Sequence, residues 1–151
     1  MNHTPVAVAL EPLLNLGYAP AVDLTWRLLL ERPAEANISH STMPTMDQHR
    51  EFVLSAPYAA WFAIMNEDEV PVGTVLLTRK NEIGIAILKE YQGNGYAEAA
   101  IRQLIKTNVP AEGVPGERAG HFLANVAPTN EASISLFNKL GGRVIQWTYR
   151  L

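Results

Sequence analysis

The chain has 151 residues, 48% of them hydrophobic, no cysteine, and a formal charge of -3 from 12 Lys and Arg against 15 Asp and Glu. That is apolar material for one core, so a single domain over residues 1–151 is expected, without a cysteine nucleophile, a disulfide or a thiolate metal site. No basic run is long enough to track a phosphate backbone and no apolar stretch approaches the ~20 residues of a membrane span, so neither nucleic acid nor membrane is the expected partner and a cytoplasmic, unprocessed protein is.

In chain order, residues 5–10 have the composition of a short strand, and Asp23 is positioned to cap a helix carrying Leu24, Leu28 and Leu29 that ends before Pro33. Thr45 and Gln48 have capping-box spacing, predicting a second helix that buries Phe52 and Val53. Residues 58–65 and 72–78 are rich in Val, Leu and aromatics on either side of a charged turn, which predicts an antiparallel hairpin; residues 82–88 extend that sheet. After Gly95, the positions Ala97, Ala100, Ile101, Leu104 and Ile105 fall on one helical face with Glu98, Arg102 and Lys106 outside. Residues 109–120 form a turn-rich linker, residues 121–126 read as a strand, and Thr129 or Asn130 caps a last helix burying Leu136 and Leu140. Gly141 and Gly142 stop that helix before a final strand at residues 144–149. No internal repeat interrupts this order.

Residues 83–97 pass from an apolar strand through Gln92, Gly93, Asn94 and Gly95 straight into an amphipathic helix. Two glycines permit positive φ and close approach, so successive N–H groups can converge on an anion at the positive end of the helix. An ordinary strand-to-helix turn explains the same letters equally well. The loop lacks the Gly-Lys-Ser/Thr ending of a P-loop and the three-glycine fingerprint of a dinucleotide fold.

Gln92-x-x-Gly95-x-Ala97, between strand and helix, resembles the pyrophosphate-binding signature of the GNAT N-acetyltransferase superfamily, Gln/Arg-x-x-Gly-x-Gly/Ala. The block from Asn130 through Ser133 and Phe137 to Gly141 is similar to the second conserved block of that family. The resemblance implies an α+β, three-layer GNAT fold: a mixed, mostly antiparallel central sheet of about six to seven strands flanked by about four helices. It implies acetyl-CoA as co-substrate. Gln92, Gly93, Asn94, Gly95, Tyr96 and Ala97 would line its pyrophosphate; Ala86, Ile87 and Leu88 would pair with the pantetheine arm as a pseudo-strand. Asn130 would fix that arm or a water, and the slot would open between residues 82–88 and 121–126.

The implied activity is acetyl transfer to a primary amine of a small molecule by direct attack, with a main-chain N–H near Ile87 or Leu88 holding the oxyanion. Glu82, at the start of the central strand, is the candidate base; its alternative is a solvated turn carboxylate. Phe137 stands where many family members carry a tyrosine that protonates the departing thiolate, so a tyrosine acid is not available at that position. Ser135, Tyr91, Tyr96 and Tyr149 are other hydroxyls, each with a simpler packing or surface role.

The scattered histidines, His121 included, lack ligand spacing, and no metal is expected. Residues 37–46 would cover the acceptor or serve as a plain connection. Trp26, Trp61 and Trp147 are read as core before pocket. The acceptor is read as an amino-sugar, polyamine, amino acid or antibiotic, and the opening segment resembles small-molecule GNATs that modify amino-sugar nucleotides, which leans the reading that way. A protein N-terminus or side chain is the alternative substrate, and a non-catalytic acyl-CoA-binding regulatory domain the alternative from another class. A homodimer through strand exchange or edge pairing at residues 144–149 is expected, because an unpaired apolar edge is a liability.

Overall fold

The computed structural model of the chain describes residues 6–32 and 42–151. Its centre is an antiparallel sheet in sequence order, β1 (Ala9–Pro12), β2 (Ala60–Met65), β3 (Pro71–Leu77) and β4 (Ile83–Ile87). The register pairs Leu10 with Ile64, Phe62 with Val75, and Val75 with Ile85. Four α-helices accompany it: α1 (Tyr18–Glu31), α2 (Met46–Leu54), α3 (Tyr96–Thr107) and α4 (Glu131–Lys139). Among the described residues, no helix is long and apolar enough to cross a membrane.

Alternation along the strands splits the core in two. Ala63 and Leu88 meet Ala21, Val22, Leu24, Leu28 and Val53 of α1 and α2. Ile64, Val75, Leu77 and Ile83 meet Ala100, Ile101 and Leu104 of α3, with Leu136, Phe137 and Leu140 packed against the edge of that cluster. The fold is therefore α+β with helices on both faces of the sheet. Each fully buried side chain among these, such as Ile64, Leu88, Ile101 or Leu104, stabilises the native state by roughly 1.5–3 kcal/mol.

Local sequence sets the helix ends. Thr45 Oγ1 accepts from Gln48 N–H and the Gln48 side chain accepts from Thr45 N–H, which makes the capping box real. Asn130 Oδ1 accepts from Ser133 N–H at the start of α4. At its far end Gly142 N–H reaches Phe137 O at 2.8 Å and Gly141, at φ 83°, reaches Asn138 O, a Schellman stop.

Several expectations need correction. The first strand is shifted to Ala9–Pro12, since an edge strand tolerates proline. Helix α1 starts at Tyr18 behind Gly17, not at Asp23; Pro20 falls in the first turn, where a missing N–H costs nothing. It does end at Glu31, before Pro33. In α2 the buried pair is His49 and Val53, one turn apart, while Phe52 is exposed. Ile105 of α3 is also exposed.

Among the described residues the sheet has four strands, not six to seven: residues 121–126 make one parallel bridge, Glu82 to Leu123, and residues 144–149 make none. A strand exists only where a neighbour accepts its ladder, and neither segment has a neighbour along its length. Trp147, at 72% exposure, is not core. Residues 37–41 lie outside the described residues.

His49 joins α2 to α1. Its Nε2 lies 2.8 Å from Thr25 Oγ1, whose single hydrogen points to the carbonyls of Ala21 and Val22, so Nε2 carries the proton and donates. Burial pushes the imidazole down from its ordinary value, against a smaller upward pull from the Val22 backbone.

Gly73 decides how closely β4 approaches β3. A Cβ there would lie 2.2 Å from Ala86 O and 2.9 Å from Ile87 Cδ1. Gly73→Ala should thus force the strands apart and cost about 1–3 kcal/mol; urea unfolding of the variant, read against the parent, measures it.

Candidate functional site

The two edges of β4 are unlike. Toward β3, Leu88 N–H bonds Val72 O and Glu82 O accepts from Thr78 N–H, both at 2.9 Å, so residues 82, 84, 86 and 88 spend their main-chain groups on that side. Ile83, Ile85 and Ile87 face the other way. Ile83 N–H reaches Leu123 O at 2.7 Å, and Leu123 N–H reaches Asn81 O at 2.9 Å. Beyond that bridge the outer edge is open. Among the described residues, the N–H groups of Ile85 and Ile87 have no partner, and Ile87 O accepts from Gln92 Nε2 at 3.0 Å.

The open edge runs directly into the glycine loop. After one 3-10 turn at Lys89–Tyr91, Gly93 (φ 80°) and Gly95 (φ 83°) take the left-handed conformation that other residues rarely adopt. Asn94 Nδ2 locks the loop by donating to Tyr91 O and Gln92 O. No side chain caps α3, and its first ladder bond is Ala99 N–H to Gly95 O. The N–H groups of Tyr96, Ala97 and Glu98 therefore lack intrahelical acceptors and sit at the positive end of the helix. A Cβ on Gly93 would meet nothing within 4 Å, and one on Gly95 only Val6 Cγ2 at 3.4 Å, so no described residue crowds either glycine. Free donors, positive potential and room suit a phosphate group.

Two contacts hold this loop against α1, and sequence reading missed both. Glu31 accepts from Lys89 N–H at 2.8 Å, and Arg27 pairs with Glu90 at 2.9 Å. Partners 58 and 63 residues apart leave no local signal.

Glu82 lies at the opposite end of β4 from the loop. Its carboxylate accepts from Thr78 Oγ1 on one oxygen and from Asn125 Nδ2 on the other. Asn125 is thus a second residue that pattern reading did not single out. Asn81, buried and at φ 64°, is a third: its side chain bonds Ala111 N and O and Ala119 O, pinning the linker to the turn that carries Glu82. By alternation Glu82, Gly84 and Ala86 share the α1–α2 face with Trp61 and Leu76, which pair in one row with Gly84.

The remaining expected residues fall around this frame. Ala86 and Leu88 turn their side chains into the α1–α2 core, and the N–H of Leu88 is already bonded, so Ile87 carries the outward amide. Asn130 uses its side-chain oxygen as the α4 cap, leaving its amide nitrogen without a partner among the described residues. Phe137 is half-buried against the α3 core. Tyr91 and Tyr96 stack edge to face at 6.4 Å beside the glycines, while Ser135 and Tyr149 are exposed. No group of three metal-ligating side chains converges among the described residues.

A helix-covered antiparallel sheet with an open strand edge feeding an uncapped helix can receive an extended arm that ends in a phosphate group. The family model described as acetyltransferase (GNAT) domain matches residues 21–143, and the chain belongs to that family. It is an acetyltransferase. No curated protein sequence matches it. Among solved structures it is similar to an acetyltransferase from Thermus thermophilus, with a TM-score of 0.65 and 17% identity over 95% of this chain and 92% of that one. A mutant of the spermidine N-acetyltransferase SpeG from Vibrio cholerae gives 0.61 and 16% over 92% and 80%. The structure of yncA from Salmonella typhimurium with its cofactor acetyl-CoA gives 0.58 and 16% over 91% and 79%. At these identities the likeness is one of fold.

Glu98 connects the start of α3 to α4, bonding Arg102 at 3.0 Å and Lys139 at 3.3 Å. These bonds, Arg102 first, hold its carboxyl below the usual carboxylate range. A native value below the unfolded one means the link stabilises above the unfolded value and is lost as pH falls through the native one. Between pH 7 and 3, the melting temperature of the parent should therefore fall further than that of Glu98→Gln, and added salt should shrink the difference.

Proposed function

We propose that this enzyme transfers the acetyl group of acetyl-CoA to a primary amine of a small molecule by direct attack. The observation that carries the reading is the continuity of an open β4 edge with an uncapped, glycine-lined helix start: a strand-like arm and a diphosphate are complementary to the two halves. Residues Gln92 through Ala97 line the pyrophosphate, held by main-chain N–H groups of the loop and helix start, Tyr96 and Ala97 among them, while the Gln92 N–H stays on Lys89 O. The pantetheine amides pair along Ile85 and Ile87, displacing the Gln92 side chain from Ile87 O, with Ala86 and Leu88 fixing the strand from the core and Asn130 and Phe137 flanking it from α4. The acetyl-CoA of one structural neighbour and the spermidine in the name of another are in keeping with this co-substrate and with a small amine.

Five residues separate Glu82 from Ile87, about 17 Å along an extended strand, so an amine that reaches a thioester held at Ile87 gives its proton to Glu82 through a chain of waters rather than directly. Its nitrogen then attacks the thioester carbonyl, a C–N bond forms, and the oxyanion is stabilised by the outward N–H of Ile87. Collapse breaks the C–S bond and CoA leaves as thiolate; the surplus proton on the new amide nitrogen passes through water to that thiolate, since Phe137 has no hydroxyl to supply one. The acceptor enters on the α1–α2 face, where Glu82 lies with Trp61 and Gly84. Phe137 also favours the second reading, an acyl-CoA-binding domain without turnover.

Thermal unfolding with acetyl-CoA tests the cradle. At one hundred times its dissociation constant the ligand stabilises by about 2.7 kcal/mol, a rise of roughly 5–10 °C, and Gly95→Glu should abolish the rise while the variant still unfolds cooperatively. An unchanged rise in that variant would remove the cradle from the reading. For the chemistry, thiol release in an amine screen is the measurement. Glu82→Gln should lower kcat/KM by about 10²–10⁴ while the acetyl-CoA stabilisation persists; protection by acetyl-CoA with no thiol released from any amine selects the binding domain instead.

A further inference from the structure

The turn between β3 and β4 meets the linker at a cluster of cations. Arg79 and Lys80 stand on that turn, just before Glu82, and Arg118 comes from residues 109–120. With Gly116 and Glu117 they line a cavity of about 340 Å³, near the lower end of the size range of small-ligand sites. Three cationic side chains share it with one carboxylate, in a chain whose formal charge is -3. Among the described residues no ion pair neutralises Arg79, Lys80 or Arg118, and Glu117 pairs with none of them.

The linker is built to hold this arrangement. Asn81, 1% exposed and at φ 64°, ties Ala111 and Ala119 to the turn through three side-chain bonds of 2.7 to 2.9 Å. Gly113 and Gly120 touch, since a Cβ on either would lie 3.0 to 3.1 Å from the main-chain nitrogen of the other. Between them Val114 and Arg118 close a tight hairpin, with Gly116 at φ 77°. Arg118, half-buried, donates from Nε to Glu112 O at 2.8 Å and from Nη1 to Arg79 O at 3.1 Å; Arg79 Nη1 donates to Pro57 O at 2.9 Å. These carbonyls orient both guanidinium groups without cancelling their charge, and a guanidinium carries more N–H donors than these contacts use. Gly116 adds an N–H that bonds to no described residue. Cations gathered with spare donors and no counter-charge repel one another unless an anion lies between them.

We propose that this cavity is a second anion site, separate from the glycine loop, which binds a phosphate group of a ligand other than acetyl-CoA. Two guanidinium forks and an ammonium offer donors to more oxygens than a carboxylate has. Acetyl-CoA seated along β4 with its pyrophosphate on the glycine loop turns its acetyl end, not a phosphate, toward this turn. That separation rests on the proposed cradle; the anion site itself rests on the turn and linker alone. Lys80 stands seven residues before Ile87, roughly 20 Å of extended chain, so the phosphate belongs to a long acceptor or to a separate effector. In either case it bridges the turn that carries Glu82 and the linker that leads into Asn125.

Inorganic phosphate is the probe, titrated at constant ionic strength with chloride as the control and followed by amide chemical shifts. The parent should show saturable shifts in residues 79–81 and 116–118. Lys80→Gln, whose side chain leaves no described contact behind, should weaken phosphate binding about threefold with melting and acetyl-CoA stabilisation unchanged, and Arg118→Gln should weaken it at least tenfold. Gly95→Glu should lose acetyl-CoA yet keep the phosphate shifts. The proposal is overturned by the absence of saturable shifts at tens of millimolar phosphate, by equal shifts with chloride, by binding unchanged in both cavity variants, or by loss of the shifts in Gly95→Glu. Turnover of the best amine then names the source: phosphate that changes kcat marks a separate effector, and phosphate that only raises the KM of the amine marks a group the acceptor carries. The titration needs no turnover, so a wrong acceptor or an inactive enzyme leaves its result standing.

Discussion

Everything distinctive about this molecule follows from the fact that β4 is paired in full on one side only. Its ladder to β3 consumes the main-chain groups of alternate residues, down to Leu88 on Val72, and fixes the strand in place. The opposite row is left for something other than its own chain, apart from Ile83 at the bridge to Leu123. In a closed sheet such a row would be covered, because unpaired backbone in an apolar setting is costly. Here the cost is lowered by Gln92, whose side chain occupies one carbonyl of the row.

The helix that follows β4 extends the same logic from sheet to helix. Gly93 and Gly95 turn the chain so sharply that α3 begins without a capping side chain, and no described residue crowds either glycine. A strand edge and a helix start are both places where backbone hydrogen bonding is incomplete, and this sequence puts them end to end. The surrounding contacts keep them so: Glu31 and Arg27 brace the turn from α1, and Glu98 with Lys139 ties the first turn of α3 to α4. At the other end, Asn81 and Asn125 hold the turn and carboxylate of Glu82. The packing of α1 and α2 on one face and α3 on the other supplies the rigidity that lets so few polar contacts suffice.

What could be read from sequence was what short-range chemistry determines. The capping box at Thr45, the cap at Asn130, the Gly141–Gly142 stop, the hairpin of β2 and β3 and the periodic face of α3 each depend on neighbours within a few residues, and each is present. Residues 121–126 and 144–149 show the limit of that approach. Their composition favours strand as strongly as that of β3, but pairing is a property of two segments, and among the described residues no second segment runs beside them. The Asp23 cap failed for a related reason, since Gly17 and Pro20 permitted an earlier start that packing of Ala21 and Val22 rewarded. The braces at Glu31, Asn81 and Asn125 were invisible because they act across 30 to 58 residues of chain.

The glycine loop has one more consequence, for how such a protein can change over time. Donors that belong to the main chain are the same whatever side chain the residue carries, so recognition written in backbone N–H groups asks little of the sequence beyond two positions without a Cβ. The rest of the loop is then free to drift in polarity and size while the ligand sees an unaltered surface. That economy of specification is consistent with a shared architecture over 95% of this chain at only 17% identity. The α1–α2 face is built of side chains rather than free backbone, and there a change of residue changes the surface itself.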